Sequence, residues 1–243
     1  MIAFNKNIRS TQAEIMDSLD FGGVEMKNLL HDLKTVNKWL GGNSITLDGL
    51  EKLLKDHPKS KEVVVVDIGC GDGELLRRCS DFASKNGYNF KGIGIDFNPH
   101  ILEYAKLQSA DYPFLEFRKV DVLLDQNSIP NSDIALFTLF LHHFSNDQIE
   151  NILKSIISKT SKGLIINDLQ RSKSAFVLFN FISLFFLRTK TARHDGLVSI
   201  ARGFRKHELE YISTKIPNQK STIRWKWAFR YQWIIKKGVN LYR

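Results

Sequence analysis

A run of four valines leads directly into a glycine-rich turn at residues 63–73, which read VVVVDIGCGDG. Consecutive β-branched residues are typical of a buried strand, and the pattern that opens at Glu74 predicts a helix. Gly69, Gly71 and Gly73 lack the Cβ atoms that would keep a ligand away from the backbone. This order of strand, turn and helix predicts an α/β fold with a ligand at the carboxyl end of a central strand.

Further strands are predicted downstream of this turn. They are Lys91–Asp96, Phe117–Val122, Asp133–Leu139 and Gly163–Asp168, followed by a C-terminal hairpin of Thr222–Trp227 and Arg230–Lys236. Helical stretches are predicted between the first five strands, at about 74–86, 99–110 and 147–160. This alternation predicts a doubly wound, mostly parallel seven-stranded sheet with helices on both faces.

The spacing of the glycines distinguishes between kinds of nucleotide-binding turn. A dinucleotide fingerprint, G-x-G-x-x-G, would need a glycine where this chain has Glu74, and a P-loop would need Gly-Lys-Ser/Thr. The chain instead reads D-x-G-x-G-x-G from Asp67 to Gly73, and the next two strands end at the acids Asp96 and Asp121. Over roughly residues 60–170 it therefore resembles the class I, Rossmann-like S-adenosylmethionine-dependent methyltransferases.

The resemblance implies that S-adenosylmethionine is the cofactor and assigns residues to it. By analogy with the family, Asp96 holds the ribose hydroxyls, Phe97 lies near the adenine and Asp121 accepts from the adenine amino group. Cys70, inside the turn, is interpreted as a small residue beside the ligand. The complete set of expected cofactor-binding residues is Asp67, Gly69, Cys70, Gly71, Gly73, Asp96, Phe97, Asp121, Val122 and Thr138.

The N-terminal part is predicted to be a helical cap. Residues 10–40 show helical periodicity and end at Gly41-Gly42, and a second helix is predicted at about Thr46–Lys55. The expected division is a cap at 1–58 and a methyltransferase domain at 59–243. Residues 29–42 (LLHDLKTVNKWLGG) also loosely resemble the N-terminal segment of small-molecule methyltransferases found beside type III polyketide synthases.

Charge and phenylalanine are concentrated late in the chain. Residues 1–170 hold 19 Lys and Arg against 23 Asp and Glu, whereas residues 171–243 hold 16 against 3. Residues 170–215 are interpreted as a basic insertion, and within it 175–187 contains five phenylalanines in thirteen residues. This stretch is too short to span a bilayer. It is expected to be a lid over an apolar substrate pocket, a helix resting on an anionic membrane surface, or a core or dimer-interface helix.

Histidines are the candidates for proton removal. Methyl transfer needs a base only if the acceptor arrives as a phenol or hydroxyl, and histidine titrates near neutrality. His194 is predicted to be the base, with Arg193 stabilising an anionic oxygen, although Asp195 beside them could simply cap a helix. His143, after the fourth strand, is the second candidate. His142 points in another direction and no acidic cluster completes a ligand set, so no metal is expected.

These patterns favour methyl transfer to a hydrophobic small molecule, a phenolic or enolic polyketide, a quinol or a related lipidic aromatic. The basic C-terminal segment leaves RNA as an alternative acceptor. Nucleic acid is disfavoured because residues 138–143 read TLFLHH and not the Asn/Asp-Pro-Pro-aromatic motif of amino-methylating enzymes. A non-catalytic cofactor-binding module is the other alternative. The first thirty residues show no signal-peptide pattern, which predicts a cytoplasmic protein, either free or peripheral at the membrane. The oligomeric state is left open.

Overall fold

The structure is a computed structural model that describes residues 2–217 and 219–238. Its centre is one seven-stranded sheet with the order β3-β2-β1-β4-β5-β7-β6. Only the pairings of β7 with β5 and with β6 are antiparallel. The strands are β1 (Val63–Ile68), β2 (Phe90–Asp96), β3 (Leu115–Lys119), β4 (Ser132–Thr138), β5 (Thr160–Leu169), β6 (Gln219–Lys226) and β7 (Arg230–Lys237). The predicted doubly wound sheet is therefore confirmed.

Eight α-helices surround the sheet in the described part of the chain. They are α1 (Gly23–Trp39), α2 (Gly42–Leu54), α3 (Glu74–Lys85), α4 (Pro99–Gln108), α5 (Asn146–Ser158), α6 (Lys173–Phe186), α7 (Lys190–Arg202) and α8 (Lys206–Thr214). Three short 3₁₀ turns lie at Ile15–Asp17, Gln126–Ser128 and Leu141–His143. None of the helices described is both long enough and apolar enough to cross a membrane.

The core forms because β1 alternates its side chains between two apolar layers. Val63 and Val65 face the layer that holds α2 and α3, whereas Val66 and Ile68 face the layer that holds α5 and α8. Helices therefore cover both faces, and the carboxyl ends of the parallel strands are left at one edge. That edge carries the glycine-rich turn.

The structure differs from the predicted N-terminal cap in one segment. Residues 10–22 are irregular apart from the short turn at Ile15–Asp17, and the first α-helix begins only at Gly23, whose φ is +66°. The carboxylate of Asp195 accepts from the backbone N–H groups of Ile15 and Met16 at 2.9 and 3.0 Å. Because Asp195 binds these two N–H groups, residues 10–22 do not form the helix that the apolar spacing predicted.

The second cap helix packs on the main sheet. Residues Leu50, Leu53 and Leu54 belong to the same buried layer as β1 and α3. Gly49 lies so close to β5 that a Cβ there would sit 2.8 Å from Ile165. The cap therefore shares a core with the rest of the chain, and a domain division at residue 58 stays a prediction.

Candidate active site

The glycine-rich turn has left-handed backbone at each of its three glycines. Gly69, Gly71 and Gly73 have φ values of +74°, +54° and +75°. A Cβ on Gly69 would lie 2.1 Å from the ring of Phe140 and one on Gly73 would lie 2.7 Å from Phe117, but one on Gly71 would enter open space. Of the three glycines, Gly71 is therefore the one whose backbone faces the cavity with no side chain packed over it.

Asp96 holds this turn in place. Its Oδ2 accepts from the backbone N–H of Gly71 at 3.1 Å, and its Oδ1 accepts from that of Asn98 at 3.0 Å. Burial raises the pKa of the Asp96 carboxyl in spite of these bonds. Each oxygen keeps a second lone pair for a ligand, since a carboxylate offers about four acceptor sites.

Asp67, at the end of β1, is a buried carboxylate without a counter-ion. It is 2 % exposed, and its Oδ1 has no hydrogen-bond partner among the described residues. Burial, assisted by the negative charges of Asp96 and Asp72, raises its pKa to about 7. Because an unsatisfied buried oxygen costs free energy, this group fits a site that gains a cationic or hydrogen-donating ligand.

A cavity of about 170 Å³ opens above the turn. Five of the expected cofactor residues line it, namely Asp67, Gly69, Cys70, Gly71 and Thr138. The predicted base His143 lines it as well. Burial raises the pKa of the Cys70 thiol well above its ordinary value, so this cysteine is an inert wall residue.

The other expected cofactor residues lie beside this cavity or beneath it. Gly73 is the N-cap of α3, and Phe97 is 40 % exposed next to Asp96. Asp121 lies beyond the end of β3, and its Oδ1 accepts from the backbone of Leu123 at 2.8 Å. The side chain of Val122 is in the core, so its contact with the cofactor stays a prediction that only its backbone could fulfil. The strand is shorter than predicted because the chain turns around Asp121.

Helix α1 crosses above the glycine-rich turn. Lys34 forms an ion pair with Glu74 at 2.9 Å, and both side chains line the cavity. Asp32 of the same helix accepts from the backbone N–H groups of Arg188 and Thr189. The cap is therefore tied both to the nucleotide side of the site and to the insertion that follows β5.

A second, apolar cavity of about 220 Å³ adjoins the first. The residues that line both cavities are Leu33, Asn37, Leu139, Leu169, Gly196 and Ser199. Its outer wall comes from α6, and Trp39, Trp227 and Phe229 also line it. A molecule that fills this cavity would reach the first cavity along the shared wall.

Helix α6 has one face toward this cavity and another toward the exterior. Ala175, Phe179 and Ile182 line the cavity. Phe181 and Phe185 are 63 % and 71 % exposed and do not line it. The lid interpretation and the surface interpretation of the Phe-rich stretch thus each describe one face of the same helix.

His142 forms a buried network that the sequence did not indicate. Its Nδ1 lies 2.7 Å from Oδ1 of Asp168, and its Nε2 lies 3.2 Å from Oε1 of Glu14. Ser199 also donates to Glu14, at 2.6 Å. Burial alone would lower the pKa of His142, but the charge and hydrogen bond of Asp168 and those of Glu14 raise it to about 9. His142 is therefore a cation at neutral pH.

Both histidines line the cavity, and the side chain of His143 is the more exposed, at 18 % against 2 % for His142. Its Nδ1 lies 3.0 Å from Oδ1 of Asp17, although not in hydrogen-bond geometry. Its ring centroid lies 4.3 Å from that of His142 and 6.3 Å from that of Phe140. Asp17 belongs to the irregular N-terminal segment, so no motif near the glycine-rich turn could have indicated this pair.

His194 and Arg193 do not lie at the cavity. His194 bonds Asp195 at 2.8 Å and approaches Gln12 at 3.2 Å, while Arg193 donates to the carbonyl of Leu187 behind α6. Neither side chain lines either cavity. Helix α7 instead turns Gly196 and Ser199 toward both cavities. Their catalytic role stays a prediction that this geometry does not favour.

One group among the described residues has the donor types of a metal site. Glu14, His142 and His143 bring one ligand atom each within 4.8 Å of one another. Both ring nitrogens of His142 already face carboxylates, and a protonated imidazole cannot coordinate a metal ion. We therefore interpret the group as a hydrogen-bonded network.

The last feature of the site is a buried arginine at the start of β7. Arg230 is 2 % exposed, lines the apolar cavity and donates from Nη2 to Oδ1 of Asn37 at 2.7 Å. Burial lowers the pKa of its guanidinium to about 10. In the sequence, Arg230 lies between Phe229 and Tyr231 at the start of a predicted strand, and this pattern indicates no functional role for it.

Comparison with known proteins agrees with this geometry. Residues 65–163 match the family model described as a methyltransferase domain. This range contains the glycine-rich turn, Asp96 and the two histidines after β4. No curated protein matches the sequence of the chain significantly. The chain therefore carries a Rossmann-like methyltransferase domain of the class that uses S-adenosylmethionine as methyl donor.

Solved structures of other methyltransferases are similar to this chain in fold. The plantazolicin methyltransferase BpumL, solved with a pentazolic substrate analog and SAH, is 15% identical, with a TM-score of 0.63 over 85% of this chain and 90% of its own. Magnesium protoporphyrin IX methyltransferase from Synechocystis PCC 6803, solved with SAH, is 16% identical, with a TM-score of 0.54 over 83% and 85%. The CurJ carbon methyltransferase is 12% identical, with a TM-score of 0.59 over 81% of this chain and 54% of its own.

Proposed function

We propose that this enzyme transfers the methyl group of S-adenosylmethionine to a hydrophobic small molecule held in the apolar cavity. The observation that carries the proposal is the adjacency of the two cavities, which share Leu139, Leu169, Gly196 and Ser199 among their lining residues. Displacement at a sulfonium needs the acceptor and the methyl group in line and in contact, so a shared wall between the two compartments meets the geometric requirement.

The residues of the first cavity suit this cofactor. When bound, S-adenosylmethionine supplies the activated methyl group and two positive charges, on its sulfonium and its amino group. The unpartnered oxygen of Asp67 and the free lone pairs of Asp96 offer acceptors for such a ligand. The uncovered backbone at Gly71 lets it approach closely. The roles of these residues are proposals.

The second cavity suits an apolar acceptor with an aromatic or extended body. Leu178, Phe179, Ile182 and Phe186 of α6 supply most of one wall. Trp39 packs beside Phe186 with its ring tilted by 60° and 4.9 Å between ring centroids. Such a wall removes water from the acceptor, which strengthens electrostatic interactions at the reacting atoms. We propose a phenolic, enolic or quinol-like molecule because these walls are apolar and aromatic.

His143 is the residue we propose to remove a proton from the acceptor. It lines the cavity, and Asp17 lies on its Nδ1 side at 3.0 Å, which leaves Nε2 for the acceptor. His142 cannot serve, since its two nitrogens face Asp168 and Glu14 and the ring is protonated at neutral pH.

The experiment measures transfer of labelled methyl from S-adenosylmethionine to three kinds of acceptor. These are alkylresorcinols, alkylated quinols and RNA. We expect transfer to at least one of the first two and none to RNA, because the cavity admits a small apolar body. Transfer to RNA alone would overturn the proposed acceptor, and cofactor binding without transfer to any of the three would favour a non-catalytic binding module.

A further inference from the structure

Arg230 carries a buried charge that no carboxylate neutralises by direct bonding. Its Nη2 bonds the neutral side chain of Asn37, while Nε and Nη1 have no hydrogen-bond partner among the described residues. The carboxylate that acts on it electrostatically, Asp168, is already bonded to His142. Arginine is almost never fully buried unless it is paired. An ion buried without a counter-ion costs several kcal/mol, so the arrangement lacks an anion.

The missing anion has a place in the apolar cavity. Arg230 and Asn37 both line that cavity, and Asn37 also lines the cavity above the glycine-rich turn. Gly42 backs the guanidinium so closely that a Cβ there would lie 3.0 Å from Nη1. The arginine is thus packed from behind, and the cavity is the side on which a ligand can be accommodated.

We propose that the methyl acceptor carries an anionic group, a carboxylate or an ionised enol or phenol, that Arg230 holds inside the apolar cavity. The proposal rests on the proposed function and adds the charge of the acceptor to it. Because the cavity has a low dielectric, the charge of Arg230 acts over several ångströms, and neither buried nitrogen has to become exposed. The apolar walls then bind the remainder of the molecule.

A pair of probes tests this charge preference by calorimetric binding, without reference to turnover. The two probes are 2,4-dihydroxy-6-pentylbenzoate and 5-pentylresorcinol, which differ only in the carboxylate. We expect the acid to bind the wild-type protein at least about tenfold more tightly, as expected for opposite charges several ångströms apart in a site of low dielectric. Equal affinities would overturn the charge inference and leave the proposed function in place, whereas failure of both probes to bind would overturn both.

Two substitutions should abolish the preference for the acid, one by adding a counter-ion to Arg230 and the other by removing its charge. Asn37→Asp places a carboxylate 2.7 Å from Arg230 Nη2 and supplies the counter-ion from the protein itself. Arg230→Met removes the charge and keeps the length of the side chain. Both variants should bind the two probes equally, and both should unfold at a temperature no lower than the wild type, because each removes an unpaired buried ion. A variant that keeps the preference would contradict the role of Arg230.

A second inference starts from the outer face of α6. Seven of its fourteen residues are large, apolar and exposed, and they are Val177, Leu178, Phe181, Ile182, Leu184, Phe185 and Phe186. Trp39 and Trp227, which line the apolar cavity, are 66 % and 64 % exposed beside it. Contiguous exposed apolar surfaces of this kind mark an interaction site. We call these nine side chains the apolar rim.

The charged side chains of the segment that carries α6 are of one sign. Two carboxylates of α1, Asp32 and Glu25, bond this segment at Thr189 and Thr191. Residues 171–194 contain no Asp or Glu. Lys173, Arg188, Lys190 and, on α1, Lys38 are exposed at the ends of the helices that carry the rim. Apolar and aromatic residues flanked by exposed cations are the pattern of a helix that lies in a membrane interface. A second protein copy would bring the same cations against each other.

We propose that the apolar rim rests on an anionic lipid bilayer and that the cavity behind it opens toward the lipid. The rim residues Leu178, Ile182 and Phe186 are both exposed and part of the cavity wall, so a lipid-soluble acceptor could enter without crossing water. Each basic residue near an anionic surface contributes roughly a fivefold gain in binding.

Vesicle co-sedimentation tests the rim with two matched pairs of variants. Phe181→Ser/Phe185→Ser removes two rim side chains, and Phe114→Ser removes a phenylalanine that is 65 % exposed at the opposite edge of the sheet. Lys173→Gln/Arg188→Gln/Lys190→Gln removes the flanking charges, and Lys85→Gln/Lys106→Gln/Lys119→Gln removes three exposed lysines elsewhere.

Wild-type protein should bind vesicles of phosphatidylcholine with phosphatidylglycerol more tightly than phosphatidylcholine alone, and salt should weaken the binding. The variant Phe181→Ser/Phe185→Ser should bind vesicles at least about tenfold more weakly than the wild type. The triple variant that lacks the flanking charges should bind about a hundredfold more weakly. The two control variants should bind like the wild type. Absence of vesicle binding, or a wild-type dimer that the rim variant dissociates, would overturn the proposal in favour of a contact between copies.

Discussion

Nδ1 of His142 lies 2.7 Å from Oδ1 of Asp168, and both side chains are buried at the carboxyl edge of the sheet. With Glu14 on the other ring nitrogen, one cation is enclosed by two carboxylates. Arg202 and Arg9 donate to the carbonyl of His142 from the same side. The network joins the N-terminal segment, β4 and β5, so it fixes the turn that carries His143.

This network predicts a pH-dependent stability. The pKa of His142 is raised from 6.5 to about 9 in the folded protein, so its contribution is fully present below pH 6.5 and disappears as pH rises through about 9. The difference corresponds to about 3 kcal/mol. Urea denaturation should therefore show His142→Gln to be less stable than the wild type at pH 6 and closer to it at pH 9.5. A constant difference would show that the side chain acts by packing alone.

Asp67 predicts that cofactor binding releases a proton. Its pKa of about 7 in the free protein means that part of the population is protonated at neutral pH, and a bound cation favours the ionised form. Affinity for S-adenosylmethionine should rise with pH up to about 7 and then level off. Calorimetry in two buffers of different ionisation enthalpy should detect the proton with the wild type and none with Asp67→Asn. Equal proton release in the variant would assign the proton to another group.

Gly71 predicts where the cofactor approaches the backbone. Gly71→Val should abolish binding of S-adenosylmethionine because its side chain would enter the open space above the turn. Gly87→Val is the matched control, since Gly87 also has a positive φ, of +69°, with open space around its Cβ. Backbone strain is then comparable in the two variants. Loss of binding in both would show that strain, and not the ligand site, is responsible.

Much of the fold could be predicted from local sequence, because strand and helix periodicity and glycine spacing are local signals. The strand ends that carry Asp67 and Asp96 were predicted in this way. The N-terminal segment was not, because the backbone at Ile15 is bound by Asp195, 180 residues away in sequence. The Glu14–His142 pair, 128 residues apart, was inaccessible for the same reason.

Arg230 shows a second limit of local patterns. An arginine near the start of a strand is ordinarily exposed, and its burial here depends on Gly42 and Asn37 packing over it from the cap. Similarly, helical periodicity could not show which side of α6 faces a cavity. Phe181 and Phe185 belong to the stretch interpreted as a lid, a membrane-resting helix or an interface helix, and the structure turns both outward.

His143 and His194 give opposite predictions for turnover. His143→Ala should lower the turnover number by about 10²–10⁴-fold at neutral pH if it removes a phenolic proton. The loss should shrink as pH approaches about 10, where such a phenol ionises unaided. His194→Ala should have little effect, since its side chain lies outside both cavities. The reverse pattern in the two pH–rate profiles would restore His194 as the base.

The acceptor cavity predicts that substitutions on the two faces of α6 change the KM for the acceptor to different extents. Ala175 is buried and lines the cavity, whereas Val177, two residues further along α6, is 58 % exposed. Ala175→Phe should fill space that the acceptor needs, and Val177→Phe introduces the same side chain on the outer face. The first variant should raise the KM for the acceptor by at least about tenfold, as expected when apolar burial worth 1.5–3 kcal/mol is lost. Affinity for S-adenosylmethionine should be unchanged in both, because neither residue lines the first cavity. Equal KM values for the two variants would show that the acceptor binds somewhere other than behind α6.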